Sequence, residues 1–230
     1  MKRSEINAIL RDAEQFFAEM KFVLPPFAFW SAETWAENRD NPEYREIRDN
    51  ALGWDITDYG EGHFATKGLY LITLRNGNVH NDKYTKTYAE KIMMLDEGQL
   101  SPNHFHWNKM EDIINRGGGN LAFRLWNADK DEKVDRQTPV KVFSDGRTYT
   151  VEAGAEIILE PGQSLTLYPY YYHEFYVQPG TGYAIIGEVS MCNDDNTDNC
   201  FEDAQGRFPA IEEDEPAYRL LCNEYPPAKD

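Results

Sequence analysis

The sequence predicts an all-β barrel with an N-terminal α-helical extension. Two observations carry this. From about residue 53 onward the chain breaks into short segments rich in β-branched and aromatic residues, separated by turn signals. Before that point the apolar residues instead repeat at helical spacing.

The extension comes first. In SEINAILRDAEQFFAEM, Ile6, Ile9, Leu10, Ala13, Phe16, Phe17 and Met20 share one helical face. Ser4 is the expected N-cap, and Pro25–Pro26 stop the helix. A second short helix is expected from Ser31, and a third after Pro42, where proline suits a first helical position. Residues 1–50 thus read as a helical lead-in, and about 53–230 as the barrel. With no internal repeat or linker, a single domain of 230 residues is expected.

The strands follow at 68–77, 88–97, 103–107, 120–128, 140–144, 147–153, 155–160, 164–169, 173–179 and 183–191. SDGR between KVF and TYTV is a strong hairpin signal. Many short strands at close spacing suit a barrel or sandwich.

Composition narrows the function. The formal net charge is −17, which disfavours nucleic acid or an anionic membrane as partner. No run of about 18 apolar residues suggests a membrane span, and the charged N-terminus lacks the apolar centre of a secretory signal. Cys192, Cys200 and Cys222 are odd in number, so free thiols in a reducing cytoplasm are expected. The acidic run at 211–215 reads as solvated surface.

The chemistry concentrates in GQLSPNHFHWNKME, residues 98–111, which holds two of the five histidines. On a strand, His104 and His106 project to the same side, as two ligands of one ion require. Glu111 follows closely enough for a turn to bring it back, and His173 heads an aromatic strand. Glu111 breaks the strand parity of the pair, so a bulge or bend is expected between the glycines at 98 and 117–119. Three imidazoles and a carboxylate suit a divalent first-row metal. They suit neither a thiolate zinc site nor an all-oxygen site.

Glu188 is the candidate base. In YAIIGEVSM, Ile186, Glu188 and Ser190 share one face. A carboxylate in an apolar strand is costly to bury without a role, and burial would move its pKa toward the working range. Asp194, Asp195 and Asp198 are candidate contacts for a hydroxylated ligand. Trp126, Phe29, Trp30 and Trp107 are candidate pocket walls, and Arg207 is a further candidate contact. His63 and His80 carry no assigned role.

The pattern G-x5-H-x-H-x4-E-x6-G, from Gly98 to Gly118, resembles the first motif of the cupins. Gly162, Pro169 and His173 resemble the second. There Tyr171 stands where a glycine is usual, and Val177 stands near the place of the closing asparagine. The resemblance implies a double-stranded β-helix, or jelly-roll, with His104, His106, Glu111 and His173 as metal ligands. HFHWNKME looks like the H-x-H-x-x-K-x-E of the D-lyxose isomerases, relatives of L-ribose isomerase. LPPFAFW, GWDITDYG, GEVSMCNDDNTDN and GRFPAIEEDE extend that likeness over most of the chain.

That family implies Mn²⁺, with Co²⁺, Fe²⁺, Ni²⁺ or Zn²⁺ also compatible with the donors. It implies Lys109 and Glu188 as the catalytic pair and a small sugar as substrate. D-lyxose and D-xylulose would be interconverted, and D-mannose and D-fructose more slowly. A homodimer is expected. The alternatives are a cupin dioxygenase with iron at the same site and a non-catalytic sugar-binding cupin. Lys109 and the acidic loop favour the isomerase over the first, and the intact ligand set favours it over the second.

Overall fold

A computed structural model describes residues 1–206 and 208–227. Three helices lead: α1 Arg3–Glu19, α2 Ala32–Glu37 and α3 Arg45–Asp49. Fourteen strands follow. The first seven are β1 Gly53–Thr57, β2 Leu69–Arg75, β3 Tyr88–Leu95, β4 Leu100–Phe105, β5 Glu111–Gly118, β6 Leu121–Ala128 and β7 Val134–Asp135. The rest are β8 Val140–Ser144, β9 Arg147–Val151, β10 Glu156–Leu159, β11 Ser164–Leu167, β12 Tyr171–Val177, β13 Ala184–Met191 and β14 Cys200–Phe201.

They form an eight-stranded sheet, β1-β2-β3-β13-β5-β11-β8-β9, and a second sheet, β10-β6-β12-β4-β14, with β7 on β6. Every strand pair is antiparallel. Sequence-distant strands meet, β13 lying between β3 and β5 and β12 between β6 and β4. This is the jelly-roll barrel of the cupins. The β8–β9 turn places Asp145 at φ 50° and Gly146 at φ 76°, the two-residue hairpin that SDGR predicts.

Period-two alternation sorts the large sheet into two faces. Leu69 and Leu71, Met93 and Leu95, Ile113, and Ala184 and Ile186 point into the barrel, where they meet Phe123, Leu125, Phe175 and Val177 of the other sheet. Trp54, Ile56, Tyr70, Ile72, Ile92, Met94 and Ile185 point out, and α1 covers them with Ile6, Leu10, Ala13 and Phe17. The predicted apolar stripe of α1 is therefore the lid of a second core. Full burial of each such side chain stabilises by about 1.5–3 kcal/mol.

Several local expectations are corrected. Ser4 lies inside α1 and does not cap it; Glu5 reaches back to the Lys2 N–H at 2.7 Å instead. Ser4 bonds Asp214 through both its N–H and its hydroxyl, at 2.9 and 2.7 Å. Arg3, 2% exposed, pairs with Glu213 and Glu224, and Asn7 donates to Glu215 at 2.6 Å. The acidic run at 211–215 is thus a dock for the start of α1, not simply solvated surface. Strands β1, β5, β7 and β14 lie outside the expected set, and β4 begins at Leu100 despite Pro102 within it. Among the described residues, the three cysteines form no disulfide. Among the described residues, no helix is long and apolar enough to cross a membrane.

Candidate active site

The first motif works by changing sheets. His104 is the last residue but one of β4 in the small sheet; Glu111 begins β5 in the large one. The parity conflict is resolved by this crossing over residues 106–110, not by a bulge. β12 pairs with β4 so that His173 stands opposite His104. Facing strands thus deliver three imidazoles and a carboxylate to one point inside the barrel.

Each imidazole is held from behind. His104 Nδ1 lies 2.8 Å from the Pro102 carbonyl, His106 Nδ1 2.7 Å from that of Asp198, and His173 Nδ1 3.0 Å from that of Tyr171. A carbonyl only accepts, so each Nδ1 carries the proton and each Nε2 presents a lone pair inward. The three histidines keep one ligand nitrogen apiece within 4.8 Å of the others. Glu111 Oε1 stands 3.3 Å from His106 Nε2 and 3.4 Å from His173 Nε2.

His106 Nε2 is buried without a hydrogen-bond partner among the described residues. A lone pair so close to a carboxylate oxygen, with no proton between them, asks for a cation. Donors about 2.1 Å from one ion and at right angles to each other lie about 3 Å apart, so these residues fit a metal.

Electrostatics agree. Loss of water, then repulsion from His173 and His106, holds His104 well below the usual imidazole range. Burial pulls His173 down to about 4. Both are neutral, as ligands must be. Burial alone would raise the Glu111 carboxyl, but Lys109 Nζ at 2.7 Å together with His106 and His173 outweighs it and keeps the carboxyl well below its ordinary range. Burial likewise depresses the Lys109 ammonium, but Glu111, Glu188 and Asp195 more than offset this and its pKa is raised.

Glu188 faces inward on β13 with Ile186 and Ser190, 4% exposed. Its Oε1 receives Ser190 Oγ at 3.0 Å, Lys109 Nζ at 3.2 Å and Lys91 Nζ at 3.3 Å. None of these three contacts falls on Oε2. The cavity is lined by the three histidines, Glu111, Glu188, Lys91 and Asp195, over an apolar floor that includes Leu69, Leu71, Met93 and Phe175.

The remaining candidates separate. Asp195 lines the cavity. Asp198 is a brace: its carboxylate accepts from the N–H groups of Asn108 and Lys109 at 2.8 and 2.9 Å, while its carbonyl holds His106. Asp194 turns away, to His80 at 2.7 Å and to Thr197.

Trp126 is not a cavity wall. Leu121, Phe123 and Leu125 take the inner face of β6, which puts Trp126 outside with Phe105 and Tyr172. Phe29 ends a 3-10 turn in the N-terminal extension and is 46% exposed. Trp30 packs on Trp35 and Tyr44, and Trp107 bonds Glu132. Arg207 lies outside the described residues. Sequence reasoning missed Lys91, whose signal was available: a lone lysine on the inner face of YAEKIMML, in register with Glu188.

Jelly-roll, inward imidazoles and carboxylate together define a cupin with a three-histidine site able to hold a metal. Comparison with known proteins then fixes the family. The D-lyxose isomerase family model matches residues 1–225, and the chain belongs to that family. It is 48% identical over 225 residues to the D-lyxose/D-mannose isomerases of Escherichia coli O157:H7 and Serratia proteamaculans, covering 98% of either chain. It is 30% identical over 167 residues to the D-lyxose ketol-isomerase of Cohnella laeviribosi, covering 70% of this chain and 82% of that one. Among solved structures, L-ribose isomerase of Cellulomonas parahominis shares the fold. The TM-score is 0.59 at 13% identity, over 92% of this chain and 98% of that one. The protein is a sugar isomerase.

Proposed function

We propose that this isomerase interconverts D-lyxose with D-xylulose, and D-mannose with D-fructose more slowly, using a divalent metal, with Mn²⁺ the first choice. His104, His106, Glu111 and His173 would hold the ion. The observation that carries the reading is the inward set of unprotonated Nε2 atoms beside a glutamate whose Oε1 is held by Ser190, Lys109 and Lys91. The names of the 48% identical relatives support the choice of sugars.

A bound divalent ion supplies Lewis-acid polarisation of the sugar's C1 and C2 oxygens. The chain's own residues move the protons. Glu188 Oε2 removes the C2 hydrogen of the aldose as a proton and returns it to C1. The Lys109 ammonium gives a proton to O1 and recovers the one leaving O2. The balance is an aldehyde and a secondary alcohol exchanged for a primary alcohol and a ketone, with no oxidant. Asp195, which lines the cavity, would accept from sugar hydroxyls. The exposed side chains Tyr88, Met110, Val189 and Met191, which lie together at one end of β3 and β13, support a homodimer.

The test is metal removal by chelation, restoration with Mn²⁺, and measurement of ketose from D-lyxose and D-mannose. Activity is expected to vanish and return. Failure of every divalent metal to give ketose would remove the proposal.

A further inference from the structure

Lys91 and Lys109 are the buried lysines among the described residues, at 5% and 4% exposure. Lys109 is committed to Glu111 at 2.7 Å. Lys91 has no part in the chemistry above, yet it occupies an inner-face position where its neighbours are Met93 and Leu95. Burying an ammonium is costly unless it is paired, so its partners disclose its use.

Three groups face its Nζ: Asn193 Oδ1 at 2.6 Å, Glu188 Oε1 at 3.3 Å and Asp195 Oδ1 at 4.0 Å. Glu188 is its cross-strand partner in the β3–β13 register. Asn193 is in turn pinned to β2's end, its N–H on Asn76 Oδ1 at 2.9 Å and its carbonyl under Asn76 Nδ2 at 3.0 Å.

We propose that Lys91 is a positioning residue for Glu188, fixing the carboxylate through Oε1 so that Oε2 faces the sugar, and tying it to the 193–195 segment at the cavity wall. The terminal torsion of a glutamate is broad and roughly two-fold, so one contact would leave either oxygen forward. Contacts from three directions, an ion pair with Lys91 on β3 and hydrogen bonds from Lys109 before β5 and Ser190 on β13 itself, select one. The charges around Glu188 are Lys91 and Lys109, with Glu111 and Asp195 beyond them. Of the two cations, Lys91 is the one that does not also hold Glu111.

The inference rests on the reading of Glu188 as base, and the test separates the two. Full-length, Mn²⁺-restored Lys91→Met, Lys91→Arg and Glu188→Gln are compared on D-lyxose across pH, with metal content and melting temperature. Lys91→Met is expected to lower kcat about tenfold or more with KM within about threefold and metal content unchanged. Removing a cation beside the base disfavours its ionised form, so the acid limb of kcat should move up by about one pH unit. Lys91→Arg should keep the wild-type limb. If Lys91→Met does not fold, Lys91→Gln serves the same comparison.

An unmoved acid limb, with wild-type kcat per folded and metal-loaded molecule, would overturn the role of Lys91. Should Glu188→Gln be inactive in that case, the base stands and Lys91 alone falls. A fully active Glu188→Gln would remove both.

Discussion

Along β3, β5 and β13 the inner face changes character partway. At one end Leu95, Met93, Ile113, Ala184 and Ile186 close a dry core. Two residues further on the same strands, Lys91, Glu111, Glu188 and Ser190 are just as buried, yet charged or polar. One backbone scaffold therefore carries two kinds of interior. The apolar end stabilises the barrel through area removed from water. The polar end is costly to bury, and the proposed chemistry is the use that offsets that cost. Loss of a side chain should therefore cost stability at the first end and activity at the second.

The sharpest break between them is Glu188→Gln, which should lower kcat by at least about a hundredfold, on the scale of a lost general base. Its melting temperature should stay near or above wild type; equal loss of both would merge the two ends into one. His106→Ala should release the metal and with it nearly all turnover, read by metal analysis beside kcat.

At the apolar end, Leu95→Ala should cost about 2–5 kcal/mol of unfolding free energy, measured by denaturant titration, while the folded fraction keeps kcat within about twofold. A still smaller effect concerns pH. The folded-state pKa of His173 is below its ordinary 6.5, at about 4, so between these values the unfolded chain binds a proton that the folded one refuses. The metal-free protein should lose stability as pH falls from 6.5 toward 4, and His173→Asn should lessen that loss, leaving the share that His104 contributes. The smallest effect is expected at Trp126→Phe, outside the barrel, where KM for D-lyxose should not move. A raised KM would put that side chain back on the cavity.

Much of this was legible in the residues. The helical stripe of α1, the SDGR hairpin, the inward parity of Glu188 and the H-x-H…E spacing all follow from local periodicities, which a chain displays without folding. Strands β1 and β5 escaped because GWDIT and EDIINRGG lack alternation, and β1 is buried on both faces. The acidic run at 211–215 showed composition but not partner, and Arg3 lies 210 residues away.

The sequence by itself determined which residue types could bind a metal, and on which face of its strand each stands. Only the tertiary structure decided that they meet: the change of sheet between Phe105 and Glu111, the pairing of His173 with His104, and the union of Lys91 with Glu188 are contacts between distant segments. Local pattern sets the direction of a side chain, whereas the packing of two sheets sets what it faces.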